Sequence, residues 1–354
     1  MAIKKSVSVM RPMRAIIGLV VVFLLVIGVA LFCFRRYWLS PVLDLKGQQK
    51  EHLYIPTGST LDDVTNLLNL KGWLADEDAF SLMASLMSYG PDVRPGRYAL
   101  QADMSARTLV AMLRSGNQDP VNVTFNGVRN LNKLAGMLTR NLETDSASLV
   151  ALMADTAFVT RCGFTQPTLP ALFLPDTYQV WWNIDPEDLM LRLRKEYDKF
   201  WTKERLQKAD SLKLSPVEVA TLASIVEEES NDLEDQKIIA GLYLNRLRIG
   251  MPMQACPTLK FAMGNFAVKR IVNADMEIDS PYNTYKHVGL PPGPIRVASK
   301  RGIDAVLNYT PNDYLFMCAR PDGSGKHDFA KTLAQHQRNA NTYHKALNKR
   351  KIYR

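Results

Sequence analysis

The sequence predicts an α+β protein carried on a single N-terminal transmembrane helix. An uncharged apolar stretch near the N-terminus, alternating strand and helix periodicities over residues 50–116, and mainly helical patterns from residue 131 onward carry that prediction. The chain's 354 residues exceed one average domain, and 47% apolar with 22% charged residues is the balance of a chain with a packed core.

The apolar stretch AIIGLVVVFLLVIGVALFCF, Ala15 to Phe34, is 20 residues without a charge, enough to span a hydrocarbon layer as a helix. A cleaved signal peptide is the rival reading. The stretch is longer than a signal core, however, and it ends in Phe34, Arg35, Arg36, Tyr37 and Trp38 in place of small residues. Lys4, Lys5, Arg11 and Arg14 outnumber Arg35 and Arg36, so residues 1–14 are expected in the cytoplasm and everything after residue 34 outside. The lipid bilayer is therefore an expected partner through residues 15–34, as a single pass of the inner (cytoplasmic) membrane. Residues 35–49 are expected as a stalk, polar from residue 40.

The formal net charge of +9 does not indicate nucleic acid. Six basic residues flank the apolar stretch, and Lys345, Lys349, Arg350, Lys351 and Arg354 close the chain, with no basic stripe interleaved with stacking aromatics between them. Such ends suit anionic lipid or an anionic polymer. Cys33 lies in the apolar stretch, while Cys162, Cys256 and Cys318 lack metal-site spacing and are expected as buried thiols. No metal and no cofactor is expected, since no His-Glu-x-x-His, phosphate loop or Gly-x-Ser-x-Gly elbow is found.

The elements follow in order. Leu53 to Ile55 predict a strand, Pro56 to Ser59 a turn, and Leu61, Val64, Leu67 and Leu68 a helix. A second helix is predicted over Ala79 to Met87, a strand over Gly96 to Ala99, and a helix from Ser105 to Arg114 that ends near Gly116. These make a small α+β module at 50–119. Beyond it a larger, mixed and mainly helical domain is expected at 120–350. There Val121, Val123 and Phe125 alternate as a strand, and Leu131 to Leu142 and Ser146 to Met153 read as helices. Pro175 to Tyr178 are expected in an aromatic-rich loop, with helices over Glu196 to Lys203 and Arg205 to Lys213. Tyr314 to Ala319 and His327 to Phe329 flank DGSGK as a hairpin, and a helix runs from Thr332 to about Asn348.

The most informative stretch is TLASIVEEES, residues 221–230. Ser215, Pro216 and Glu218 form a capping box with proline at the first helical position, and Val219, Leu222, Ala223 and Val226 mark one buried stripe. At roughly 100° per residue, Glu228 points away from that stripe while Glu227 and Glu229 fall on its two flanks. A Glu-rich helix end is most often solvated surface, but either flanking carboxyl could occupy a partly desolvated site.

SIVEEES, YLNRL, MQACPT, and SPYNTY with GLPPGPI resemble the endolytic murein transglycosylase family, the YceG-like membrane-anchored lytic transglycosylases. The resemblance covers nearly all of the chain after residue 45. It implies that the module at 50–119 is LysM-like and binds glycan, and that 120–350 is the lytic transglycosylase domain. The implied reaction is endolytic cleavage of the MurNAc–GlcNAc β-1,4 bond in nascent peptidoglycan, without water. It leaves 1,6-anhydro-MurNAc ends and limits strand length, with peptidoglycan synthases as further partners. A non-catalytic peptidoglycan-binding scaffold and a hydrolytic muramidase are the alternatives.

By the family motif the acid/base maps to Glu227, with Glu229 next in line. The expected substrate-binding set is Glu229, Asn245, Gln254, Thr258, Tyr282, Asn283 and Tyr285. Asn245 either orients the acid or a substrate acetamide, or caps a neighbouring loop, and His327 resembles a family position near the hairpin. Cys256 stands where the family commonly has Asp, and Pro170 and Ala171 stand where it usually has a Glu-Gly pair.

Overall fold

The computed structural model describes residues 10–268 and 271–349. Lys4, Lys5, Arg350, Lys351 and Arg354, and the side chains of Arg11 and Arg14, lie outside the described residues. Among the described residues the fold is mixed, with helices and three two-stranded sheets. It divides into two compact units, residues 1–121 with 181–183, and residues 122–180 with 184–354.

The first unit begins with α1 (Met10–Phe34), continued by a π-helical turn over Arg35–Leu39. Among the described residues one span, Ile16–Leu39, is long and apolar enough to cross a membrane, with mean hydropathy 3.3 and none of its most apolar stretch buried. After it, β1 (Lys50–Ile55) leads to α2 (Leu61–Leu70), α3 (Glu77–Leu86), β2 (Gly96–Gln101) and α4 (Ala106–Ser115). β1 pairs antiparallel with β2, from Lys50 opposite Gln101 to Ile55 opposite Gly96. Period-two alternation turns Leu53, Ile55, Tyr98 and Leu100 inward, where all are fully buried against Val64, Leu68, Phe80 and Leu109. Thr60, Asp76 and Ser105 cap the three helices, and Gly116 ends α4 at φ +68°, a left-handed conformation that glycine adopts without penalty.

Residues 42–45, expected within a stalk, are part of this core. Val42, Leu43 and Leu45 are 5% exposed or less, and the Val42 and Asp44 amides donate to Met104 O (2.9 Å) and Trp73 O (2.8 Å). So small a unit needs these apolar residues to complete its interior.

The second unit holds β3 (Val121–Thr124), α5 (Leu131–Thr139), α6 (Ser146–Ala154), α7 (Thr156–Arg161), β4 (Thr177–Val180), α8 (Pro186–Phe200), α9 (Lys203–Ser211), α10 (Pro216–Glu229), α11 (Leu233–Arg248), α12 (Cys256–Ala262), α13 (Lys300–Leu307), β5 (Phe316–Ala319), β6 (His327–Ala330) and α14 (Leu333–Lys349). β3 pairs with β4, so Thr177 and Tyr178 are strand where a loop was expected. α8 starts ten residues before its expected position, because Asp185 caps it and Pro186 takes the first helical position. β5 and β6 form the expected antiparallel hairpin.

At the centre lies α10, opened by the predicted capping box of Ser215 and Glu218. Val219 through Val226 are all buried, so the helix is enclosed on every side and its hydrophobic stripe is only part of its buried surface. It packs against α11, α12 and α13. α13 has no counterpart in the predicted elements; its eight residues, capped by Ser299, are too few for a clear periodic signal.

Candidate active site

Three consecutive glutamates end α10, and each meets a different environment. Glu227 faces the start of α13. Its Oε2 accepts the Ser299 N–H at 3.0 Å, and its Oε1 accepts the Ser299 hydroxyl. Gly302 leaves room for it, since a Cβ there would lie 2.5 Å from the Glu227 carboxyl carbon. Glu228, expected to point toward solvent, is instead clamped. Arg129 donates to both its oxygens (2.9 and 2.7 Å), Arg296 donates to Oε1 (2.9 Å), and the side chain is only 8% exposed.

Glu229 enters a crowded pocket. The Tyr243 hydroxyl, from α11, donates to Oε1 at 2.7 Å. A little of its surface stays accessible, yet the carboxyl is so closely surrounded that burial raises its pKa above the usual range. His327, the Tyr243 hydrogen bond and Lys260 act against that rise, and Glu228 adds to it. Burial likewise pushes up the Tyr243 and Tyr285 hydroxyls and the Cys256 thiol, with the negative field of Glu229 adding to each. Cys256 Sγ and Tyr285 Oη lie 3.3 Å apart. A carboxyl that holds its proton more tightly than usual and keeps some exposure suits general acid catalysis.

The other predicted site residues are placed differently from one another. Tyr285 joins the Glu229 pocket, and Tyr282 lines a nearby cavity of about 180 Å³ with Arg129, Asn130, Gln166, Phe261 and Arg296, its ring 4.6 Å from that of Phe261. Thr258 and Asn283 are 0% exposed and fully engaged within the protein. Thr258 donates to Ala255 O, and Asn283 donates to Met276 O and Ile278 O at 2.8 Å each. Asn245 takes the loop-capping alternative, donating to Asn312 O and Tyr314 O. Gln254 is exposed, in a left-handed conformation at φ +51°, with its amide oxygen 3.4 Å from Arg246. Arg246 is buried and donates to the carbonyls of Leu315, Pro252 and Met253.

Tyr243 and Asp235 were not anticipated. Tyr243 shares a helix face with Ile239 and Arg246, and a tyrosine in a buried stripe needs a partner for its hydroxyl, which is the signal that could have found it. Among the described residues, no group of three His, Cys, Asp or Glu side chains is placed to hold a metal ion.

The YceG-like family matches residues 53–342 of this chain. The endolytic murein transglycosylase of Bacillus subtilis is 27% identical over 345 residues, covering 92% of this chain and 93% of that protein. The endolytic murein transglycosylase of Streptococcus pneumoniae serotype 2 is 28% identical over 352 residues, covering 90% of this chain, which spans 63% of that relative's length. A crystal structure of a yceG-like protein from Listeria monocytogenes aligns with a TM-score of 0.54 at 27% identity, covering 82% of this chain and 98% of that one.

Proposed function

The chain belongs to the YceG-like family, and from that premise we propose that it is a membrane-anchored endolytic murein transglycosylase whose proton donor is Glu229. The observation that carries this reading is the enclosed Glu229 carboxyl, raised by burial and hydrogen-bonded to Tyr243. Glu227, which the family motif first suggests, has both oxygens occupied by the start of α13.

The substrate is the peptidoglycan glycan strand, cut internally at the MurNAc–GlcNAc β-1,4 bond. Glu229 donates its proton to the glycosidic oxygen as the C1–O bond breaks, leaving an oxocarbenium on the MurNAc ring. Its carboxylate then takes the proton of the C6 hydroxyl as that oxygen bonds to C1, closing the 1,6-anhydro ring. One carboxyl thus serves as acid and then base, no water is consumed, and no second carboxylate is required. Tyr282 and Phe261 offer flat faces to pyranose rings.

Residues 50–119 act as the LysM-like tether to glycan, and α1 crosses the inner membrane with its N-terminus in the cytoplasm. Anchored there, the enzyme works on nascent strands close to the bilayer, alongside peptidoglycan synthases, and limits strand length. The test is the mass of glycan ends that the full chain releases from peptidoglycan. Anhydro ends, lighter by one water than reducing ends, support the reading. Reducing ends would make the protein a hydrolase, and no released ends a scaffold.

A further inference from the structure

Two arginines share the single carboxylate of Glu228. Arg129 Nε and Nη2 and Arg296 Nη1 all donate to it, at 2.9, 2.7 and 2.9 Å, and its side chain is 8% exposed. A guanidinium stays charged at any working pH, so with Glu228 ionised the cluster carries one positive charge in excess.

Neither guanidinium is fully satisfied by this arrangement. Arg296 places Nη2 on Gly127 O at 3.1 Å, and its Nε is buried without a hydrogen-bond partner. Arg129 turns Nε and Nη2 to Glu228, so among the described residues its Nη1 makes no hydrogen bond, on a side chain that is 47% exposed. The Arg129 guanidinium also lies 4.4 Å from the centroid of the Phe266 ring, so stacking and the ion pair together fix its plane.

Both arginines line the cavity of about 180 Å³ that Tyr282 and Phe261 also wall. They are the only charged side chains on that wall among the described residues. Its neutral polar groups are partly engaged elsewhere: Asn130 caps α5, and Gln166 donates to Met153 O and Ala154 O. A concave, mainly apolar pocket with uncompensated positive charge on its wall selects an organic anion, and a planar guanidinium with N–H groups to spare suits a carboxylate. Glu228 directly precedes Glu229 on α10, so the charged wall is anchored one residue from the proposed proton donor.

We propose that this cavity is a subsite for a carboxylate of the peptide stem, with Arg129 as its main contact and Arg296 adding to the positive field. The inference rests on the reading of the chain as a murein transglycosylase. In that substrate the stem hangs from the MurNAc ring and carries free carboxylates, whereas the stem-bearing glycan itself offers neutral hydroxyls and acetamides. Tyr282 and Phe261 receive the sugar while the arginines receive the stem, so binding favours strands whose stem carboxylates are free.

The test measures kcat and KM of the full chain in detergent on uncrosslinked peptidoglycan strands, and on the same strands with their stem carboxyls converted to amides, which keeps the peptide and removes its charge. The unmodified strands should show a KM lower by about fivefold or more, with kcat nearly the same. Arg129→Gln, which leaves Arg296 on Glu228, should bring the two KM values together. Pro170→Glu should do the same by adding a carboxylate to the cavity wall. Proline has no N–H to lose and both arginines stay in place, so this variant decides alone if Arg129→Gln does not fold. Equal KM values in the unaltered chain, or an undiminished gap in the folded variants, overturn the proposal. If the unaltered chain releases no ends from either strand, the reading of the reaction fails, and the dissociation constants of the two strands then decide the subsite by the same comparison.

Discussion

Glu227 and Glu229 stand two residues apart on α10, and their carboxyls do opposite work: Glu227 receives the N–H and hydroxyl of Ser299, the cap of α13, while Glu229 is enclosed with Tyr243 against it. The separation of about 200° between them on the helix places one toward α13 and the other toward α11. Exchanging each for Gln should separate the two roles. Glu229→Gln keeps the size and accepts the Tyr243 bond but has no proton to give, so release of glycan ends should fall by about 10²-fold or more. Glu227→Gln should keep most activity and lose about 1–2 kcal/mol of stability from weaker bonds to Ser299. Measured end release and denaturant midpoints check this, and the reverse pattern would return the acid to Glu227.

The pH dependence of stability gives an independent check. The Glu229 pKa is raised by burial in the folded protein, so between the unfolded value of about 4.3 and the folded value the native state binds more protons than the unfolded one. Stability from this group is therefore full below the unfolded value and declines as pH rises toward the folded value. Glu229→Gln removes the dependence. It should melt higher than wild type near neutral pH, with the difference vanishing in acid. Thermal melts that differ equally at all pH values would show that Glu229 is not held protonated by its pocket.

The extent of sequence legibility follows from which forces act locally. The capping box at Ser215, the helix from Ser105 to its end near Gly116 and the strands at Leu53–Ile55 and Gly96–Ala99 were readable because side chain and backbone interact within a few residues. The position of each glutamate was not. Helical geometry put Glu227 and Glu229 on the flanks of the stripe and Glu228 outside, but the partners of all three come from 14 to 99 residues away, Tyr243 being the nearest and Arg129 the most distant. Thr258 and Asn283 show the same limit. Polar residues in a motif read as ligands for a sugar, and in the fold Thr258 satisfies the carbonyl of Ala255 at the start of α12 while Asn283 satisfies those of Met276 and Ile278 ahead of Tyr282.

Asn283 makes that structural role measurable. Its amide donates to two carbonyls, its oxygen accepts the Tyr285 N–H at 3.0 Å, and the side chain has no exposure. Asn283→Ala strands those groups and leaves a void, so it should cost about 2–4 kcal/mol. The loss should appear in the unfolding midpoint before any change in substrate affinity. A variant with native stability but weakened glycan binding would make Asn283 a ligand instead.

The junction between α1 and the first unit carries the last prediction. Arg36 reaches Asp76 with two hydrogen bonds, at 2.8 and 3.0 Å, and Asp76 also caps α3 by accepting the Ala79 N–H at 3.0 Å. The chain then enters the core without a free interval, since Val42 both donates to Met104 and accepts from Ala75. A stalk would let the rest of the unit swing on α1, whereas this arrangement ties its orientation to that of α1. Backbone exchange reports which holds, because an amide in a free stalk exchanges at once and one paired in a core exchanges only on opening. In the full chain in detergent, the Val42, Asp44 and Ala75 amides should be protected like those of β1. Asp76→Ala removes a helix cap worth about 1 kcal/mol and the Arg36 contact together, so it should speed their exchange while leaving α10 unaffected. Complete exchange of residues 42–45 in the unaltered chain at the earliest time point would restore the stalk and free the unit to move.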